Sequence, residues 1–266
     1  MNASAFSEPF TPRGVASFAG AKFSRLLIAQ IIVAILAGAA VSIFCRYACF
    51  PIIESAIENL PPDGQIHFGQ LEWTGAPQML AEGRFLALDV DPDHTGQLRS
   101  AADIQVEFGR DSARIFSLFG YTDFYYLPNE SAPFNRAQLD PLWKAWRAEI
   151  FFLVAFGTAI SLLLSWWALA LVYFLPVYLI AFFANRDLSL PGSLKLSAAA
   201  LLPGALMMTA GIVLYTSAFF GLPTLLFIFG AHLVLAWLYL LVSLMFFVRT
   251  SSAPVPGNPF KPGKTS

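Results

Sequence analysis

Charged side chains are scarce in this chain: Asp, Glu, Lys and Arg make up 12% of its 266 residues, against 57% hydrophobic. An ordinary soluble domain carries about 25% charged residues, so the deficit argues for a membrane protein. The scarcity is also local. No Asp, Glu, Lys or Arg falls in residues 150–185 or 196–248. Pumps and ion-coupled transporters usually keep ionisable groups inside the bilayer, and the apolar stretches after residue 150 hold one, His232. Catalytic signatures are missing as well: there is no Gly-x-Ser-x-Gly elbow, no His-Glu-x-x-His pair and no phosphate-binding Gly-rich loop. The reading is therefore no enzyme, no catalytic residue and no cofactor. His232 is the best candidate an enzyme would have. Without an acid nearby in sequence it reads as a helix-packing residue.

What is present divides into greasy runs and one acidic block. A spanning helix needs about 20 apolar residues, because roughly 30 Å of hydrocarbon is crossed at about 1.5 Å per residue. Residues 26–50 supply a first crossing. The run 196–248 is too long for one and breaks at Gly221 and Pro223. Residues 150–184 would make a helix of roughly 50 Å, and Pro176 disfavours an unbroken one. The expectation is a crossing over 150–175 followed by a bent interfacial segment, 177–184. Four transmembrane helices result, three of them in a membrane domain, 150–248. Arg13, Lys22 and Arg25, then Arg186 and Lys195, then Arg249, Lys261 and Lys264 all fall on one side, the cytoplasmic one by the positive-inside rule. Residues 1–25 become a cytoplasmic segment and 249–266 a disordered cytoplasmic tail. Ala37, Gly38 and Ala39 also fit a signal-peptide cleavage site, although the apolar run continues past them to anchor length. Ala34 with Gly38, and Gly157 with Ser161 and Ser165, have the spacing that lets helix backbones approach closely in lipid. Cys45 and Cys49, one turn apart, read as small interface residues or as an intermolecular bridge.

The block 51–149 holds fifteen acids and seven bases and is expected to face outward. Residues 51–60 continue the first helix until Pro61, Pro62, Asp63 and Gly64 stop it. Alternation in 65–73, 84–90 and 104–108, and an aromatic-rich stretch 115–127, predict a small antiparallel β-rich α+β domain. Asp140 and Pro141 have the chemistry of a helix start. Trp143, Lys144, Trp146 and Arg147 resemble an interfacial belt. The fold class expected is thus a membrane α-helical bundle of four spans with this extracytoplasmic domain between helices one and two.

One stretch of the block concentrates carboxylates: "LDVDPDHTG", residues 88–96. Period-two alternation sends Leu88 and Val90 to one face of a strand and Asp89 and Asp91 to the other. Pro92 to Gly96 then supply turn chemistry. Asp89, Asp91 and Asp93 are the weak metal candidates, occupying positions one, three and five of a calcium loop. His94 stands where such a loop needs Gly, and Ser100 where it needs Glu. The prediction is no metal, with surface carboxylates at a strand end and His67 and His94 covering surface. Asn129 and Ser131 complete a glycosylation tripeptide that is common by chance.

The pieces "FTPRGVASF", "LPPDGQIHFGQLEW", "FLALDVDPDHTG" and "KLSAAALLPGALMM", in that order, resemble a bacterial family of uncharacterised membrane proteins. That family includes maltodextrin-utilisation accessory proteins and has a likeness to Yip-type membrane domains. The resemblance spans about residues 10–248 and rests on Asp63 with Gly64, on 89–96 and on Pro203. It implies a bacterial inner-membrane protein with no catalytic residues to carry over. Two functions remain in view. One is a non-enzymatic accessory or sensor protein whose outer domain binds a ligand or partner, with membrane lipid, a membrane-protein partner or a second copy as neighbours and no nucleic acid. The other is a small transporter or channel for a neutral solute, with Tyr173, Tyr178, Tyr215 and Tyr239 lining a path.

Overall fold

The computed structural model describes residues 10–249; the sequence expectations for 1–9 and 250–266 lie outside them. In chain order the elements are α1 (Pro12–Ser17), α2 (Phe23–Phe44), a π-helical turn (Cys45–Cys49) and α3 (Phe50–Glu58). Strands β1 (Gln65–His67), β2 (Gln70–Glu72), β3 (Gln78–Glu82), β4 (Leu86–Val90), β5 (Ile104–Phe108), β6 (Ser112–Ser117), β7 (Gly120–Tyr125) and β8 (Ala132–Pro133) follow. Helices α4 (Arg136–Phe183), α5 (Leu190–Thr216) and α6 (Leu222–Leu244) end the described chain. Four helical stretches are long and apolar enough to cross a membrane, judged by length and composition: Phe23–Glu58, Arg136–Phe183, Leu190–Thr216 and Leu222–Leu244.

The fold class is α+β with two β-sheets, which corrects the expected helical bundle with a small antiparallel domain. Two findings overturn it. First, α4 is one helix of 48 residues, about 72 Å at 1.5 Å per residue, and 0% of its most apolar window is buried. A bundle would cover that face. The segment 177–184 is no separate element either, since helix runs straight through Pro176. Ser193 Oγ donates to the Phe174 carbonyl at 2.5 Å, tying this part of the helix to α5. Second, the larger sheet, ordered β3-β4-β5-β6-β7, is mixed: β4 and β5 run parallel, with Asp89 opposite Glu107. A parallel pair needs a crossover, and here an irregular loop, 91–103, replaces the usual helix.

The chain divides into two compact units. One comprises, of the described residues, 10–33, 161–207 and 229–249. Its core is apolar, built on Val15, Leu26, Val177, Leu196 and Leu240 around the small run Ala198–Ala200. Polar atoms at its margin serve as tethers. Lys195 Nζ donates to the Ala21 carbonyl at 2.7 Å, Tyr239 OH to Phe10 at 2.8 Å, and Ser243 Oγ to Pro12 at 2.8 Å.

The other unit comprises 34–160 and 208–228. Gly38 sits where any Cβ would fall onto the Ala155 carbonyl, so α2 and α4 cross in backbone contact there. Ser42 Oγ adds a bond to the Phe151 carbonyl at 3.2 Å. α4 begins at Arg136, earlier than Asp140, because Asn135 is the cap: its Oδ1 accepts from Gln138 N at 3.0 Å. The smaller sheet, β2-β1-β8, turns through Phe68 and Gly69, both at positive φ (46° and 77°), which a two-residue primed turn demands. On the larger sheet, Leu80, Val90 and, in part, Leu88 and Phe108 pack with Ala56, Leu60 and Phe134. Tyr215 OH donates to Asp103 Oδ2 at 2.5 Å, and Arg84 donates to the Ala218 and Phe220 carbonyls at 3.1 and 2.7 Å.

Candidate functional site

The strand alternation carries the two faces of the larger sheet to opposite fates. On the polar face, Asp89, Asp91 and Glu107 are fully buried, where surface carboxylates were expected. The crossover loop 91–103 closes over them and supplies their partners. Gln105 Nε2 donates to Asp89 Oδ1 at 2.7 Å and to the Leu98 carbonyl at 2.6 Å. Thr95 Oγ1 and the Gly96 N–H both donate to Asp91 Oδ2, at 2.7 and 3.1 Å. His94 Nδ1 lies 2.5 Å from Glu107 Oε1, and Arg99 lies 3.5 Å from Oε2 while stacking over Phe116. Burial pushes the Asp89 carboxyl up from its ordinary value of 3.8 to about 6; the Gln105 bond opposes this, and the charges of Glu107 and Asp91 reinforce it.

The three metal candidates therefore separate. Asp89 and Asp91 are sealed with different partners, and Asp93, its side chain 71% exposed, pairs with Arg110 at 3.2 Å outside. No group of three or more His, Cys, Asp or Glu side chains among the described residues is arranged to hold a metal ion. The stretch 88–96 is a clip that closes a crossover loop. His94, at φ 52°, is part of that clip.

The remaining candidates are likewise committed to structure. His67 Nδ1 meets Ser131 Oγ at 3.0 Å. His232 bonds the Phe229 carbonyl of its own helix, and its backbone lies against Gly204 so closely that no side chain fits there. Tyr173 packs on Trp237, Tyr215 lies among Phe44, Phe85 and Phe220, and Tyr239 holds Phe10. Three of the four tyrosines thus have packing or hydrogen-bond partners within their own compact unit. Cys45 and Cys49 are free thiols in the π-helical turn.

The apolar face of the same sheet is not filled. Between it, α3 and the first turns of α4 lies a cavity of about 500 Å³. α3 presents Ile53, Ala56 and Ile57 to it at the i, i+3, i+4 spacing of one helical face. The strands add Leu80, Leu88 and Phe108, one from each of β3, β4 and β5. α4 supplies the rim with Leu142, Trp143 and Trp146. No ionisable side chain lines it. Trp143 is fixed by Nε1 donating to Glu54 Oε1 at 3.2 Å, and by an edge contact with Phe50 at 5.1 Å. The same carboxylate pairs with Arg147. The rings read as an interfacial belt thus form a cavity wall, clamped from α3. Such a concavity fits a ligand with an apolar body, and its walls offer neither nucleophile nor proton carrier. The sequence signal for it was the apolar stripe of α3, opposite Glu58.

Comparisons with protein-family models, with curated proteins and with solved structures find no match for this chain.

Proposed function

We propose that the chain is a non-enzymatic integral membrane protein whose α+β module binds an apolar ligand in the cavity under the larger sheet. The observation that carries this reading is the cavity of about 500 Å³ with walls free of ionisable groups. Apolar walls that open to the outside stay in contact with solvent unless something covers them, and such concavities are the usual form of a site for an apolar ligand. The module is proposed to face out of a bacterial inner membrane, with both termini cytoplasmic. The basic residues flanking the apolar helices support this orientation, and the resemblance noted above implies that membrane. The role is that of an accessory or sensor protein, reporting or presenting what the cavity holds.

The test uses the full chain in nanodiscs and a pyrene-labelled decanoic acid. The double variant Ile53→Trp/Leu142→Trp fills the rim from two half-exposed positions and should weaken probe binding at least tenfold. Asp89→Asn, on the sealed face, should leave binding unchanged. Equal binding by the filled variant and the parent would overturn the reading. Orientation is tested separately in a Cys45→Ser/Cys49→Ser background. Asp93→Cys, on the exposed side of the clip, should react with an impermeant maleimide from outside intact cells, and labelling only after lysis would reverse the topology.

A further inference from the structure

The cavity does not stand alone along α4. Where α2 and α4 cross, a groove of about 870 Å³ runs between Ile35, Ala39 and Ile43 on one side and Phe151 and Phe156 on the other. It shares Trp146 and Ile150 with the cavity. It shares Phe151 and Phe152 with a polar recess of about 370 Å³ lined by Arg46, Glu54 and Arg147. One surface, apolar apart from Ser42 and Glu149 in the groove, therefore connects a charged recess, a groove on membrane-length helices and a cavity under the sheet.

The charges in the recess do not cancel. Glu54 is taken by Arg147 and Trp143. Arg46 is exposed and has no hydrogen bond or ion pair with any described residue. One positive charge is left over. Arg46 stands in the π-helical turn, an irregularity that re-aims the side chains following it and recurs at functional sites. Filling the groove takes an apolar body, and pairing Arg46 takes an anion. A lipid with a phosphate brings both.

Resting on the cavity reading above, we infer that the ligand is a membrane phospholipid of net negative charge. Its phosphate is held at Arg46 and Arg147 by charge-assisted hydrogen bonds. Its acyl chains lie along the α2–α4 groove, and one of them turns past Trp146 and Ile150 into the cavity. Entry is lateral from the bilayer, since the groove is open and the most apolar window of α4 lacks protein cover. The net charge of the recess favours an anionic headgroup over a zwitterionic one.

The experiment is lipid retention by the full chain, purified in mild detergent after incubation with equal phosphatidylglycerol and phosphatidylcholine, read by native mass spectrometry. Phosphatidylglycerol should be retained at least fivefold over phosphatidylcholine. Arg46→Gln should bring the ratio near one and Arg46→Lys should restore much of it. Ile53→Trp/Leu142→Trp should lower retention of both lipids. Equal retention by the parent chain, or a preference that survives Arg46→Gln, would overturn the headgroup assignment and leave the cavity reading standing. A probe unaffected by the filled rim would sink the cavity reading itself. Efficient disulfide pairing of two Ile43→Cys chains through the groove would make the occupant a second copy and would also overturn the lipid.

Discussion

The two faces of the larger sheet invert the usual expectation about where a binding site lies. The face carrying Asp89, Asp91, Gln105 and Glu107 has the residues that chemistry needs, yet the loop 91–103 closes over it. The face carrying Leu80, Leu88 and Phe108 has no such residues; it packs in part on Ala56, Leu60 and Phe134, and the concavity opens beside that contact. Desolvated carboxylates are costly unless hydrogen-bonded, and the loop side gives partners to one oxygen each of Asp89 and Asp91 and to both of Glu107, leaving Asp89 Oδ2 and Asp91 Oδ1 without a described one. An apolar face carries no such obligation and tolerates a void that a ligand can occupy. Charge in this module holds the fold, and the greasy side is the one proposed to bind.

That contrast can be broken most forcefully at Glu107. Glu107→Ala leaves His94 and Arg99 without their buried partner and should lower the stability of the protein by about 3 kcal/mol. Thermal unfolding in detergent reads this, and an unchanged midpoint would mean that the loop is held by something else. Probe binding at the folded temperature should persist.

Asp89 gives a pH-dependent version of the same test. Its pKa is raised in the folded state, from 3.8 to about 6, so the unfolded chain binds fewer protons between those values. The contribution of Asp89 to stability is therefore full below about pH 4 and declines as pH rises toward 6, by about 2 kcal/mol. Asp89→Asn removes the charge and should abolish that decline. At pH 7 the variant should be the more stable protein, and a parent that loses nothing relative to it between pH 4 and 7 would refute the assignment.

How much of this was legible from the residues can be judged element by element. The alternation of Leu88, Asp89, Val90 and Asp91 fixes which side chains share a face. It cannot say which face is covered, because the cover comes from a loop whose partners, Gln105 and Glu107, lie far along the chain. The parallel pairing of β4 and β5 was hidden for a related reason: a crossover without a helix reads like an antiparallel connection. Pro176 was read as a break, but the helix continues through it, because the missing N–H costs one hydrogen bond while the turns on both sides keep theirs. Asp140 offered cap chemistry at the wrong place, and Asn135 took the role. A cavity is a shortfall of volume between distant elements, so only its α3 stripe leaves a local trace.

Two smaller effects sharpen the comparison. Gln30, fully buried in the other unit, has both amide atoms without a described partner, a polar group no loop has satisfied. Gln30→Leu should raise stability by about 1 kcal/mol; a loss would show that the amide has a partner such as a bound water. Asp93→Asn touches only an exposed pair with Arg110 and should change stability by less than about 0.5 kcal/mol, measured the same way.

The most direct test of the central claim is photolabelling of the full chain in nanodiscs with a phosphatidylglycerol bearing a diazirine near the end of one acyl chain, mapped by peptide mass spectrometry. The account predicts labels on residues 53–60 and 139–150, the two helical walls of the cavity. Labels on the loop 91–103, or none above the general lipid background on those walls, would contradict it.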